Sequence, residues 1–254
     1  MQEFKKDNLL VNVLPNRREL GVRAAQLVTE RIIALTAGHE KINIIFAAAP
    51  SQNEFLAALI TNNAIDWSKI NAFHMDEYRG LPAGAPQCFG TFLRERLFDK
   101  RPFASVNYLN GNAPDINEEC ERYSKLLKDN PPDIVCMGIG ENTHLAFNDP
   151  PVADFNDPVL VKQVTLDLAC RQQQVNDGCF AALADVPQTA ITLTIPALLQ
   201  VANIYCMVPG KTKMQAIEHT LHAPVTEQYP STILRTHPNA ILFVDNDSYQ
   251  TKLS

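Results

Sequence analysis

Short apolar runs rich in β-branched residues recur along this chain, and helical periodicity fills the stretches between them. INIIFA (Ile42–Ala47), KINAFHM (Lys69–Met75), DIVCMG (Asp133–Gly138), NIYCMVP (Asn203–Pro209) and AILFV (Ala240–Val244) read as strands buried on both faces. Such strands belong to parallel sheets covered by helices. Asn16–Gly38 carries Leu20, Ala24, Leu27, Val28, Ile32 and Leu35 at helical spacing, opens on an Asn-x-x-Glu capping box (Asn16, Glu19) and stops at Gly38. Further helices are expected after Ser51, over Phe89–Lys100 and Asp115–Lys128, after Pro196, after Gly210 and from Asp247. Val106–Leu109, Val159–Leu166 and Ala190–Thr194 are strand-like. The charges Glu118, Glu119 and Glu121 read as the solvated face of their helix. This alternation predicts an α/β fold, a three-layer α/β/α arrangement on a mostly parallel, Rossmann-like sheet. The 254 residues fit one domain spanning 1–254.

Charge and cysteine usage exclude several classes. A net charge of -6, with 22 basic residues scattered along the chain, offers no electrostatic footprint for nucleic acid. No apolar stretch approaches membrane-spanning length, and the N-terminus MQEFKKDNLL has no secretory pattern. The six cysteines contain no C-x-x-C pair, and Cys136 and Cys206 fall inside apolar strands, as free thiols in a reducing compartment do. A cytoplasmic protein is expected, with a small-molecule partner, no membrane and no nucleic acid. Self-association into a homo-oligomer is left open.

Ligands of open α/β sheets bind beyond the strands' C-terminal ends. Asp76 and Glu77 follow one strand there, ahead of the Pro- and Gly-rich loop Arg79–Pro86. By residue type alone the pair reads first as an acidic cap or surface turn. Ala47–Gln52 is a strand–helix junction whose backbone N–H groups could hold an anion, but a second capping box at Ser51 and Glu54 explains it as a helix start. After Asp133–Gly138 the chain reads GIGENTHLAFNDP, in which Gly138 and Gly140 allow close backbone approach and His144 precedes Asp149 by five residues. Histidine titrates near neutrality and a carboxylate can orient it. No spacing of potential ligands suggests a metal. Asn148–Pro158 reads as a plain loop or a lid.

FHMDEYRGLP, NGNAPD (Asn110–Asp115) and GIGENTHLAFNDP occur in an order and spacing that resemble the glucosamine-6-phosphate deaminase (isomerase) family, in the superfamily that also holds 6-phosphogluconolactonases. The resemblance runs from Ile42 to about Val244. Asp-Glu-Tyr at Asp76–Tyr78, and Ala-Phe-Asn after His144, look like the deaminase branch.

That resemblance implies cofactor-independent aldose–ketose isomerisation with loss of ammonia from a 2-amino-2-deoxyhexose 6-phosphate. It implies Asp76 as the base at C2, His144 as the acid/base that opens the ring, and Asp149 and Asn142 beside it. Glu77 and Tyr78 become supporting residues, and backbone around Gly138 and Gly140 a donor to the developing enediolate oxygen. The phosphate site would combine Ala48, Ala49, Ser51 and Gln52 with Lys213. Where the family has a phosphate-gripping arginine the chain has Gly178, with Arg171 the candidate substitute, and the usual Gly/Thr-rich phosphate loop is Ala-rich. A galactosamine-6-phosphate isomerase, a 6-phosphogluconolactonase-like hydrolase and a non-catalytic sugar-phosphate sensor are the alternatives.

Overall fold

The computed structural model describes residues 2–249. Its main sheet has eight strands in the order β1 (Gln2–Lys6), β2 (Leu9–Leu14), β11 (Ala240–Asp245), β10 (Asn203–Val208), β7 (Ile134–Met137), β3 (Ile42–Phe46), β4 (Ile70–His74) and β6 (Ser105–Asn107). Every neighbouring pair is parallel except β1 with β2. Along β3, Ile42, Ile44 and Phe46 join one buried cluster and Ile45 the other; along β10, Tyr205 and Met207 alternate with Ile204, Cys206 and Val208 in the same way. The period of two therefore fills both faces with apolar side chains, which is why no polar alternation marks these runs.

Helices α1 (Arg17–Thr36), α2 (Asn53–Ile60) and α3 (Phe89–Arg96) cover one face; α4 (Ile116–Asp129), α6 (Ile195–Leu199) and α7 (Met214–His222) cover the other. At the head of α1 the Asn16 side chain accepts from the Glu19 N–H at 3.0 Å and its Nδ2 donates to the Glu19 carboxylate at 3.4 Å, so the expected cap forms. The second capping box does not. A 3-10 turn over Pro50–Gln52 precedes α2, Ser51 Oγ accepts from Gln52 Nε2 at 3.1 Å, and Glu54 turns away to pair with Arg17.

A second sheet holds β5 (Asp76–Tyr78), β9 (Thr189–Leu193) and β8 (Val161–Thr165), all antiparallel. Its apolar side, with α5 (Leu168–Asn176), packs Tyr78, Phe147, Leu166, Cys170 and Phe180 together. The chain thus leaves the main sheet after β4 and re-enters extended structure one residue later, at Asp76. The expected helix from Asp247 starts instead as a turn over 246–248, and its remainder lies outside the described residues. Cys136 and Cys206 are buried free thiols.

Glu119 departs from its predicted solvent face. It is buried, accepts from the Asn110 N–H at 2.7 Å and pairs with Arg122 at 2.7 Å, so it fastens α4 to the segment that follows β6.

Candidate active site

Sheet order locates the site. From β3 the chain adds β4 and β6 on one side, whereas β7, β10 and β11 run the other way, so the order reverses between β3 and β7. Loops diverge at such a point and leave a crevice beyond the strands' C-terminal ends. A cavity of about 320 Å³ lies there, lined by the segments after β3 (Ala47–Gln52), β4 (Met75, Asp76), β7 (Gly138–Gly140) and β10 (Pro209–Lys213).

Asp76 enters this cavity at the head of β5, paired in register with Thr192. Its carboxylate has no hydrogen-bond partner among the described residues. Burial pushes its pKa well above the ordinary carboxylate value, and the charge of Glu77 adds to the rise. Glu77 points the other way. It accepts from the N–H groups of Tyr78 (2.9 Å), Phe89 (3.0 Å) and Gly90 (2.9 Å), closing the first turn of α3 with its own carboxylate. Tyr78 packs its ring at a tilt against Phe89 and Phe147, two aromatic residues that line the cavity.

His144 stands on the loop after β7, with Thr143 (φ 72°) and Ala146 (φ 51°) on either side in left-handed conformations. Its Nδ1 lies 2.7 Å from Asn142 Oδ1 and 2.9 Å from Asp149 Oδ1, and Asn142 Nδ2 donates to that same Asp149 oxygen at 2.9 Å. Facing two acceptors, Nδ1 carries a proton. Nε2, which makes no hydrogen bond among the described residues, is left to exchange protons on the cavity side. Burial raises the Asp149 pKa, but the His144 charge and the hydrogen bonds from His144, Asn142 and the Asp167 N–H outweigh it, so the carboxyl stays below its usual value. The ring lies directly over Gly140, where a Cβ would come within 2.1 Å of Cε1. Gly140 is thus a steric requirement, and its N–H, bonded to His144 O at 3.0 Å, is not the expected donor to an enediolate.

The other end of the cavity holds Lys213, buried at 6% exposure, whose ammonium makes no hydrogen bond or ion pair among the described residues. Burial pulls its pKa down, while Asp177 and Glu141 hold it up. Ala48, Ala49, Ser51, Gln52 and Gly138 line the same region. Gln52 Nε2 reaches Met137 O (3.4 Å) and Met207 O (3.3 Å), tying the ends of β7 and β10.

Arg171 is not in the cavity. Its Nη2 donates to Leu183 O and Val186 O, both at 2.8 Å, closing the turn after α5. Gly178, where the resemblance places the family arginine, follows the end of α5 at φ 74°, a left-handed position that favours glycine. The side chains that α5 and its C-cap do bring to the cavity, Gln173, Gln174 and Asp177, were missed from sequence because a run of glutamines carries no apolar period. Nothing from 148–158 lines the cavity, and Lys162 ties that loop to β8 through Val152 O (2.8 Å) and Asp157 (2.7 Å).

The fold also brings Cys170 of α5 beside His144 and Asp149, with ligand atoms within 4.8 Å of one another, a grouping no sequence spacing reveals. The His144 and Asp149 atoms are at hydrogen-bond distance, and burial, reinforced by Asp149, pushes the Cys170 thiol well up, so the trio reads as a hydrogen-bonded cluster of thiol, imidazole and carboxylate.

Residues 15–243 match the family described as glucosamine-6-phosphate isomerases/6-phosphogluconolactonase. The chain belongs to this family. The glucosamine-6-phosphate deaminase of Staphylococcus epidermidis is 36% identical over 76% of this chain and 79% of its own, and that of Streptococcus uberis 31% identical over 92% and 95%. Among solved structures, a monomeric glucosamine-6-phosphate deaminase superposes with a TM-score of 0.84 at 26% identity, over 94% of this chain and 98% of that one. The 6-phosphogluconolactonase of Thermotoga maritima has a TM-score of 0.75 at 19% identity, over 93% and 99%, a likeness of fold. No helix among the described residues is long and apolar enough to cross a membrane.

Just before the site, His74 is fully buried and its Nε2 accepts from the Leu109 N–H at 2.8 Å. Burial lowers its pKa from 6.5 to about 4, against a hydrogen bond with the Asp76 backbone. The unfolded chain binds this proton below pH 6.5 and the folded one only near pH 4, so stability falls as pH drops through that window. At pH 5 the loss from this group is about 2 kcal/mol. His74→Asn removes that slope: in urea unfolding, the variant's stability difference between pH 7.5 and pH 5 is smaller than the wild type's by about this amount. Equal differences in the two proteins would rule the effect out.

Proposed function

We propose that this protein is an amino-sugar-phosphate deaminase/isomerase that converts glucosamine 6-phosphate, or a related 2-amino-2-deoxyhexose phosphate, to the ketose phosphate and ammonia. The observation that carries the reading is the pairing of an unpartnered, proton-affine carboxylate, Asp76, with an oriented imidazole, His144, in one cavity that ends on a buried lysine.

The chemistry follows from those groups. His144 Nε2 takes the proton of the anomeric hydroxyl and returns it to the ring oxygen, opening the sugar to its aldehyde, while Asn142 and Asp149 hold Nδ1. The aldehyde acidifies the neighbouring C2–H. Asp76, kept basic by burial, removes that proton, O1 takes up a proton as the enol-amine forms, and Asp76 delivers the C2 proton to C1. The iminium this leaves at C2 gives up one N–H proton in exchange, which makes the imine. Water adds to the imine carbon, ammonia departs, and the ketose remains. Lys213 holds the terminal phosphate as a point charge. Every proton taken is returned, so no external redox partner is needed.

The test is an ammonia-release assay over glucosamine 6-phosphate, galactosamine 6-phosphate and the corresponding free amino sugars, with 6-phosphogluconolactone as the competing substrate. Release from at least one amino sugar without accelerated lactone hydrolysis is the expected result. Lactone hydrolysis with no ammonia from any of them would overturn the reading.

A further inference from the structure

The charges around Lys213 make a weak anion site. Arg17 stands at the cavity mouth, but Glu54 takes its Nε (2.7 Å) and Nη2 (3.0 Å), and Nη2 also reaches Pro50 O (3.0 Å). Lys211 sits exposed on the rim. The loop after β3 offers only part of its backbone as neutral donors: Pro50 has no N–H, the Gln52 N–H bonds Ala49 O and the Ala47 N–H bonds Cys136 O, which leaves the N–H groups of Ala48, Ala49 and Ser51. The Lys213 N–H is likewise taken, by Gly210 O. Just past α5, the half-buried carboxylate of Asp177 also lines the cavity, steadied by Gln173 Nε2 at 3.3 Å. It is the strongest of the acidic influences on Lys213 and reaches Arg17 as well.

We propose that Asp177 is a specificity-determining residue that holds down the cavity's preference for a dianionic terminal group, so that an amino sugar with a free terminal hydroxyl is also accepted. An ionised phosphate only accepts hydrogen bonds, so it gains from Lys213 and is repelled by Asp177. A hydroxyl both donates and accepts, and it can bridge the ammonium and the carboxylate. Gln174 of α5, nine-tenths buried and with no side-chain hydrogen bond among the described residues, adds a further neutral partner. For its chemistry the inference rests on the deaminase/isomerase reading.

The test compares kcat/KM for glucosamine 6-phosphate and for glucosamine in the wild type and in Asp177→Asn, which keeps the size and removes the charge. The ratio of phosphorylated to free substrate rises about tenfold in the variant, mainly through KM. A ratio within twofold of the wild type overturns the inference. A second readout needs no turnover: in calorimetry, inorganic phosphate binds Asp177→Asn more tightly than the wild type and Lys213→Met more weakly, and equal affinity in Asp177→Asn and the wild type also overturns it. If the wild type releases ammonia from neither sugar, the deaminase reading fails and the phosphate titration alone decides for or against Asp177.

Discussion

Asp76→Asn lowers kcat for ammonia release by about 10³-fold, within the range that a positioned general base contributes. The substitution changes one atom and keeps the volume, so the variant folds and binds. Its carboxamide cannot take the C2 proton. Asp76 has no hydrogen bond to lose among the described residues and lies where burial disfavours its charge, so the neutral replacement relieves desolvation, and thermal stability holds or rises. A purely structural residue would behave in the opposite way, losing stability and keeping kcat. Steady-state kinetics and a thermal melt on the same preparation separate the two, and a kcat within tenfold of the wild type would remove Asp76 from the mechanism.

Gly140→Ala has the second large effect. The new Cβ would sit 2.1 Å from His144 Cε1 and 2.3 Å from both ring nitrogens, well inside contact distance. The ring cannot retreat, because Asn142 and Asp149 hold its Nδ1 at 2.7 and 2.9 Å and the side chain is buried. Either those bonds break or the loop after β7 shifts, and in both cases Nε2 is displaced from the reacting atoms. We expect kcat to fall about 10²-fold and stability by about 1–3 kcal/mol. An alanine variant with wild-type kcat would mean that the position of His144 does not matter to turnover.

The parts that could be read from sequence are those where one side chain type follows from one environment. Strands β3, β4, β7 and β10 are apolar on both faces because helices cover both, and the C-terminal ends of β4, β7 and β10 delivered Asp76, His144 and Lys213 to the cavity. What stayed hidden depends on contacts between distant segments. Strand β1 is a largely exposed edge with no buried period, and β5 is three residues long. The buried faces of α5 include glutamines that serve a cavity, so the helix lacks an apolar stripe. Arg171 has the charge for a phosphate but spends it on two carbonyls of the turn after α5, and Glu119 looks solvated until Asn110 and Arg122 are seen against it. In both cases residue type gave the charge and the fold decided what it meets.

Central to this account is proton removal from C2 by Asp76, and the most direct test follows a label at that carbon. Glucosamine 6-phosphate carrying deuterium at C2 is incubated with the enzyme and the products are read by NMR and mass spectrometry. The account predicts that the deuterium leaves C2 and is recovered at C1 of the ketose phosphate or in water, and that Asp76→Asn leaves it in place on unreacted substrate. A deaminated hexose phosphate that keeps its deuterium at C2 would contradict it.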